Sequence, residues 1–399
     1  MHVTVRMKRR AFLTNSMAGT LGVVALGAEP GVAKKPLLAT PAVIMAPRSD
    51  GMEVVWAVSR LCRGWVEYRT DDGKVEKCAM DDFGFVPQGD AVMRVRLCGL
   101  HPGTAYDVRV VVEAADDEPP REETPWKKFR TLDPAAAASR FVVWNDTHDN
   151  HETLRRLHEV TPAADFLLWN GDTCNNWDQE SWLVPTLLNP AGQDVSAGRP
   201  LFFNWGNHDV RGKWAFKARE VVAMPQGRPY HAFRSGPVAF ICLHTGEDKP
   251  DNHPSFGGRT AFEALRREQA EWLKKVTAMP EMRNASNKVV CCHLPLRWTT
   301  EQEVTQYDKG EYDLFSRDSR AAWHDTLVAW GAQVILSGHL HQDAWIPANE
   351  KFPYAQMVSG GPQPQAARWI EGTADASGLK LVMRDLSGKT VREAALPRI

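Results

Sequence analysis

A chain of 399 residues is longer than one ordinary domain and short for three, so two are expected. With 43% apolar and 24% charged residues its proportions are globular, which excludes a disordered or collagen-like chain. The formal net charge of −1 provides no overall basic field to hold a nucleic acid.

Residues 7–13 read Met-Lys-Arg-Arg-Ala-Phe-Leu, and an uncharged run of small and apolar residues follows as far as Gly27. A basic start, a moderate apolar stretch and small residues at Ala25, Gly27, Ala28 and Ala33 make residues 1–33 an export signal. The pair Arg9-Arg10 resembles a twin-arginine signal, which implies a periplasmic or secreted protein. Losing that segment removes four basic residues and one acidic residue, moving the formal charge from −1 to −4. Beyond it no apolar run is long enough to span a bilayer, so no membrane span is expected after signal removal.

Residues 36–132 consist of short alternating segments separated by turn signals. Residues 52–58 alternate about Trp56 and residues 64–69 about Trp65 and Tyr68; Asp72-Gly73 then supplies a hairpin turn before residues 91–97 resume the alternation. In residues 100–110 a Leu-His-Pro-Gly turn leads to Tyr106, which opens an alternating strand. A sandwich corner uses such a tyrosine, its hydroxyl bonding back to the turn. The stretch resembles a fibronectin type III domain. Cys62, Cys78 and Cys98 offer one disulfide, with the pair left open. Residues 133–139, Asp-Pro-Ala-Ala-Ala-Ala-Ser, read as a linker.

After the linker, apolar runs end repeatedly in polar residues. Residues 141–144 lead into Asn145-Asp146-Thr147-His148, residues 166–169 into Asn170-Gly171-Asp172, and residues 201–205 into Gly206-Asn207-His208-Asp209. Residues 288–292 lead into His293, and residues 333–337 into Gly338-His339-Leu340-His341. Amphipathic stretches at 152–160, 259–279 and 320–330 lie between them. Buried strands with intervening helices predict an α/β fold whose ligands gather at the carboxyl ends of the strands.

These residue types suit a pair of metal ions. Such a pair needs a bridging anion, usually a carboxylate, together with neutral nitrogen and oxygen donors. Asp146 and His148 are two apart, a spacing that in extended backbone sends both side chains to one side, and His339 and His341 repeat it. Asp172 follows a glycine and takes the position expected of the bridge; Asn207 offers an amide oxygen and His293 an imidazole. Two divalent ions set against two aspartates and a bridging hydroxide leave residual positive charge to draw a phosphate oxygen. The donors suit iron, manganese or zinc rather than calcium.

Taken in order, D-x-H, G-D, G-N-H-D, H and G-H-x-H resemble the calcineurin-like metallophosphoesterase superfamily, over residues 140–399. With the fibronectin-like segment ahead, the arrangement resembles purple acid phosphatases. The resemblance implies an αββα sandwich preceded by an all-β sandwich. It places Asp146, His148, Asp172 and His341 on one metal, and Asp172, Asn207, His293 and His339 on the other. It also casts His208 as the group that assists the leaving oxygen, with Asp209 orienting its ring. There is a departure: purple acid phosphatases carry glycine where His148 stands and a tyrosine ligand where Asn175 stands, so the colour of that family is not expected. The implied activity is hydrolysis of a small phosphorylated substrate, monoester or diester, by a metal-activated hydroxide. Trp177, Trp205 and Trp298 are candidate walls of the cleft, and Arg297 a candidate phosphoryl contact. Two other readings are an inactive cell-surface binding or scaffold protein, which loss of a ligand would signal, and a nuclease, which the acidic mature chain opposes.

Overall fold

The computed structural model describes residues 35–81, 83–115, 120–299 and 314–399; the export segment expected at 1–33 lies outside them. Two sets of parallel strands, apolar on both faces, establish the architecture. In Ser139–Trp144, Phe166–Asn170 and Leu201–Asn204, successive side chains enter different cores. Phe141, Val143, Phe166, Leu168 and Phe202 pack against Phe240, Cys242, Val289, Cys291 and Leu336 of a second sheet. Val142, Trp144, Leu167, Trp169 and Phe203 face the opposite way, against Leu154 and Leu157 of helix His151–Val160 and Leu183 and Leu187 of helix Leu183–Leu188. The second sheet has an outer layer too: Ile241, Val290 and Ile335 meet Leu273 of helix Phe262–Val276 and Trp323 and Leu327 of helix Leu314–Trp330. Each large side chain buried in these layers contributes about 1.5–3 kcal/mol. The expected helix–sheet–sheet–helix sandwich is present.

The second sheet runs His231–Ser235, Val238–Leu243, Asn287–Cys292, Val334–Ser337, Ala355–Val358, Ala344–Ile346. Among the described residues the first has nine strands, and its centre is parallel, with Phe141 opposite Phe166 and Leu167 opposite Leu201. Its three last strands, Val43–Met45, Gly51–Ala57 and Val92–Cys98, come from the N-terminal region and join through a parallel pairing of Met45 with Leu201. Their other face shares a core with strands Cys62–Arg69 and Ala105–Ala114, through Ile44, Val54, Trp56, Val66, Val95 and Val110. One sheet therefore serves both the N-terminal β layers and the α/β region. The Tyr106 hydroxyl accepts a hydrogen bond from the His101 N–H at 3.0 Å, closing the turn as a sandwich corner requires. All seven cysteines are free thiols, including Cys62, Cys78 and Cys98, which could have supplied one disulfide. Among the described residues no helix is long and apolar enough to cross a membrane.

Candidate metal centre

Parallel register brings the chemically able strand ends together. Asn170 stands opposite Asn204, and Trp144 opposite Trp169, which leaves Asn145 beside Asn170. These asparagines form a ladder: Asn204 Nδ2 donates to Asn170 Oδ1, Asn170 Nδ2 to Asn145 Oδ1, and Asn145 Nδ2 to Ser359 Oγ, each at 2.8 Å. Asn170 Nδ2 also reaches the Leu336 carbonyl at 3.3 Å, and Asn204 Nδ2 the Leu243 carbonyl at 3.3 Å, tying the two sheets at the end where the site lies. Gly171 turns the chain with φ 91°, and a Cβ there would stand 2.6 Å from His293 Nδ1.

The ligand candidates project from turns, not from strands. Asp146, His148, Asp172, His339 and His341 have φ of 54°, 45°, 53°, 73° and 50°, a left-handed region that side chains with a Cβ seldom occupy. The extended backbone expected for Asp146/His148 and His339/His341 is therefore not found, because the strands stop at Trp144 and Ser337 and the chain bends at once. Each such residue costs of order 1–3 kcal/mol, and outliers of this kind gather at functional sites. Hydrogen bonds hold the turns: the His148 N–H donates to the Asp172 carbonyl at 2.9 Å, and the His339 N–H to Asp146 Oδ1 at 2.9 Å. The His208 N–H donates to Asp172 Oδ1 at 2.8 Å.

All seven expected ligands converge. The ligand atoms of Asp146, His148 and His341 lie within 4.8 Å of one another, and so do those of Asp172, His293 and His339. Asp172 links the groups, its Oδ2 being 3.1 Å from His293 Nε2 and 3.4 Å from His148 Nε2. Asn207 Oδ1 is 2.9 Å from His339 Nδ1.

The electrostatics of this cluster call for a cation. Asp146 and Asp172 are 0% and 1% exposed, and their ion contacts among the described residues are all to imidazoles, with no lysine or arginine. Two buried carboxylates without cations would be strongly destabilising. Burial works against charge on Asp172, yet the imidazoles of His293, His208 and His148 hold it well below the usual carboxylate range. Burial likewise works against a proton on His293, but Asp172 and Asp146 outweigh it and raise its pKa to about 10. Burial depresses His148, and burial with the nearby His293 brings His339 down to about 4, which keeps those rings neutral. His293 Nε2 faces Asp172 Oδ2 at 3.1 Å, and Asn207 Nδ2 is buried without a hydrogen-bond partner. Two buried carboxylates faced by imidazoles at ligand spacing, with the His148 and His339 rings neutral, fit bound metal ions.

Other expected residues fall elsewhere. The Asp209 carboxylate does not reach the His208 ring; it accepts from the backbone N–H groups of Asp172 and Gly206 at 2.8 Å and of Thr173 at 3.0 Å. It thus braces the turns that carry Asp172 and Asn207. The His208 ring is set instead by Asn175, whose carbonyl lies 2.7 Å from Nδ1, and burial lowers its pKa to about 4. Arg297 is 8% exposed and donates to the Pro347 and Tyr354 carbonyls at 2.8 and 3.1 Å, so it is occupied by the fold. Trp177 is fully buried, its Nε1 donating to the Asp209 carbonyl at 2.9 Å, but it does line a cavity together with His148 and Asn175. Trp205 stacks on His244, while Trp298 lies 6.0 Å from the His339 ring and does flank the cluster. The Cys174 thiol is buried and its pKa pushed up by that burial, as suits a bystander.

Two residues have site roles that the sequence does not assign them. Asn175, in the tyrosine's place, has Oδ1 3.1 Å from His148 Nδ1 and so braces that ring. Arg211, anchored by Glu247 and by Asp248 at 2.9 Å, brings Nη1 to 2.9 Å from His208 Nε2. Its place three residues after His208 was the available signal.

Comparison with known proteins agrees with this geometry. The family model for calcineurin-like phosphoesterases matches residues 139–343. Serine/threonine-protein phosphatase CPPED1 of Mus musculus is 23% identical over 199 residues, which is 48% of this chain and 58% of that protein, so the match spans little more than half of the relative. Purple acid phosphatase PPD1 from seeds of yellow lupin (Lupinus luteus) superposes with a TM-score of 0.67 at 14% identity, covering 90% of this chain and 75% of that one. PhoD superposes with a TM-score of 0.60 at 13% identity, covering 91% and 94% respectively. At these identities the two structures are evidence of a shared fold.

Proposed function

The chain belongs to the calcineurin-like phosphoesterase family, and we propose that it is an exported phosphoesterase with a binuclear metal centre that hydrolyses small phosphate esters. The observation that carries this reading is the pair of buried carboxylates, Asp146 and Asp172, whose ion contacts among the described residues are to imidazoles alone. Asp146, His148, Asp172 and His341 would hold one ion, and Asp172, Asn207, His293 and His339 the other. When bound, iron, manganese or zinc supplies Lewis-acid polarisation of a phosphate oxygen and acidifies water for attack on phosphorus.

The chain's own groups do the positioning. Asn175 accepts from His208 Nδ1–H and so aims Nε2 toward the cluster, 4.0 Å from Asp172 Oδ2. Arg211, clamped through Nε and Nη2 by Glu247 and Asp248, leaves Nη1 to donate to a phosphoryl oxygen. When the phosphoryl group takes that N–H, the lone pair of His208 Nε2 is freed; with the ring's proton on Nδ1, Nε2 must first take up a proton from solvent before it gives one to the leaving oxygen. The twin-arginine-type segment supports export.

The decisive experiment is a panel of chromogenic mono- and diesters assayed with manganese, iron and zinc, with metal content measured alongside. Asp172→Ala is expected to empty the site and abolish turnover. His208→Ala is expected to lower turnover by about 10²–10⁴-fold while metal content stays near that of the parent. Loss of metal in the histidine variant would overturn its role, and inertness of the metal-loaded protein toward every ester would overturn the function.

A further inference from the structure

The loop carrying Asn207 and His208 also walls, through Trp205, Val210 and Gly212, a cavity of about 670 Å³ lined by none of the seven proposed ligands. Pockets of roughly 300–1,000 Å³ accommodate a small organic ligand. The walls here are rich in aromatic rings: Trp205, Phe216, Phe256 and Phe262. Phe216 is 55% exposed, an apolar ring left in water. Charge on the same walls is one-sided. Arg94, Lys213, Arg219 and Arg259 face a single acid, Glu220, which Lys217 already pairs at 3.3 Å. Arg94 donates to the Val222 carbonyl at 2.9 Å and Arg259 to the Ser255 carbonyl at 3.2 Å, while Lys213 and Arg219 make no ion pair among the described residues. A second feature points the same way. Trp205 is 6% exposed, and its indole N–H has no hydrogen-bond partner, an arrangement folded proteins rarely leave unmatched.

We propose that this cavity is a binding site for a small amphiphilic anion, one with a flat aromatic body that packs among the rings and a carboxylate-type head that meets Lys213 and Arg219. Aromatic walls reward a planar body, and the uncompensated cations select its charge. The site is independent of the phosphoesterase reading, since binding there requires neither metal nor turnover. Arg94 comes from strand Val92–Cys98, so the N-terminal β region contributes to it directly.

Isothermal titration of the full chain with 6-hydroxy-2-naphthoate tests the proposal, with its uncharged methyl ester as the comparator. The acid is expected to bind with a Kd of about 100 µM or tighter, and the ester about tenfold more weakly. Lys213→Glu combined with Arg219→Glu should cost the acid about tenfold or more in affinity and leave the ester unchanged. Both side chains are exposed, so the fold should tolerate the exchange. Phe216→Ala, also at an exposed position, should weaken both compounds. Equal affinity of acid and ester, an undiminished affinity in the doubly substituted chain, or no heat up to about 1 mM would each overturn it.

Discussion

Gly206→Ala offers a severe test of how the centre is built. A Cβ at position 206 would collide with the amide nitrogen and Oδ1 of Asp172 and stand 3.0 Å from its Cγ. Carbon atoms in good contact are about 3.5–4.0 Å apart, so the Asp172 carboxylate or the Gly206 backbone must move by about 1 Å. Neither is free to do so. The N–H groups of Asp172 and Gly206 both donate to Asp209 Oδ2 at 2.8 Å, and Asp172 Oδ1 accepts from the His208 N–H at 2.8 Å. Overpacking of this kind costs about 1–3 kcal/mol, and a misplacement of about 1 Å in a reacting constellation costs on the order of 10²-fold in rate. Turnover of a chromogenic ester, metal per chain by mass spectrometry and a urea titration would be compared with the parent. The expectation is a rate lower by about two orders of magnitude and reduced metal occupancy. As a control, Gly73→Ala places its Cβ where nothing lies within 4 Å, although its φ of 88° still costs some strain. That variant should turn over normally. Parental turnover and full metal content in Gly206→Ala would refute the idea that Asp172 is held by close backbone packing.

Asn170→Ala should destabilise the fold by about 2–4 kcal/mol in urea, because the ladder would leave Asn145 Oδ1 and Asn204 Nδ2 short of partners in a buried setting. Arg297→Gln should lower stability by about 1.5–3 kcal/mol through its lost carbonyl contacts, with KM for small esters unchanged; a raised KM would restore it as a substrate contact. In the N-terminal sheet, burial works against charge on Glu67, but Trp65 and Arg109 outweigh it and hold its carboxyl below the usual 4.5. Its contribution should therefore be complete above about pH 4.5 and disappear as pH falls through the lowered folded value. The stability gap between parent and Glu67→Gln should narrow in acid, and a gap that stays constant to pH 2 would contradict the assignment.

Much of the architecture was legible because its causes are local. Continuous apolar strands such as residues 141–144 and 166–169 can be buried only on both faces, and that alone calls for layers on either side. Aspartate, asparagine and histidine at the ends of those strands specify hard-to-borderline metal donors wherever the chain places them. The reading of Tyr106 rested on the same kind of short-range logic, a turn and a hydroxyl five residues apart.

What remained hidden depends on residues far apart in the chain. Asp209 looked like a partner for its neighbour His208, but the fold carried its carboxylate to the backbone of residues 172, 173 and 206, whose three N–H groups donate to it. Arg297 has the right chemistry for a cleft, yet packing turned it to carbonyl groups. Sequence by itself determined the donor set, the layered α/β core and the strand-end location of the centre, because side-chain chemistry and apolar periodicity are written residue by residue. Tertiary structure alone decided the left-handed turns that aim the ligands, the sheet shared with the N-terminal region, and the bracing roles of Asn175, Asp209 and Arg211. Those depend on pairing register and on backbone torsions that only the assembled fold can impose.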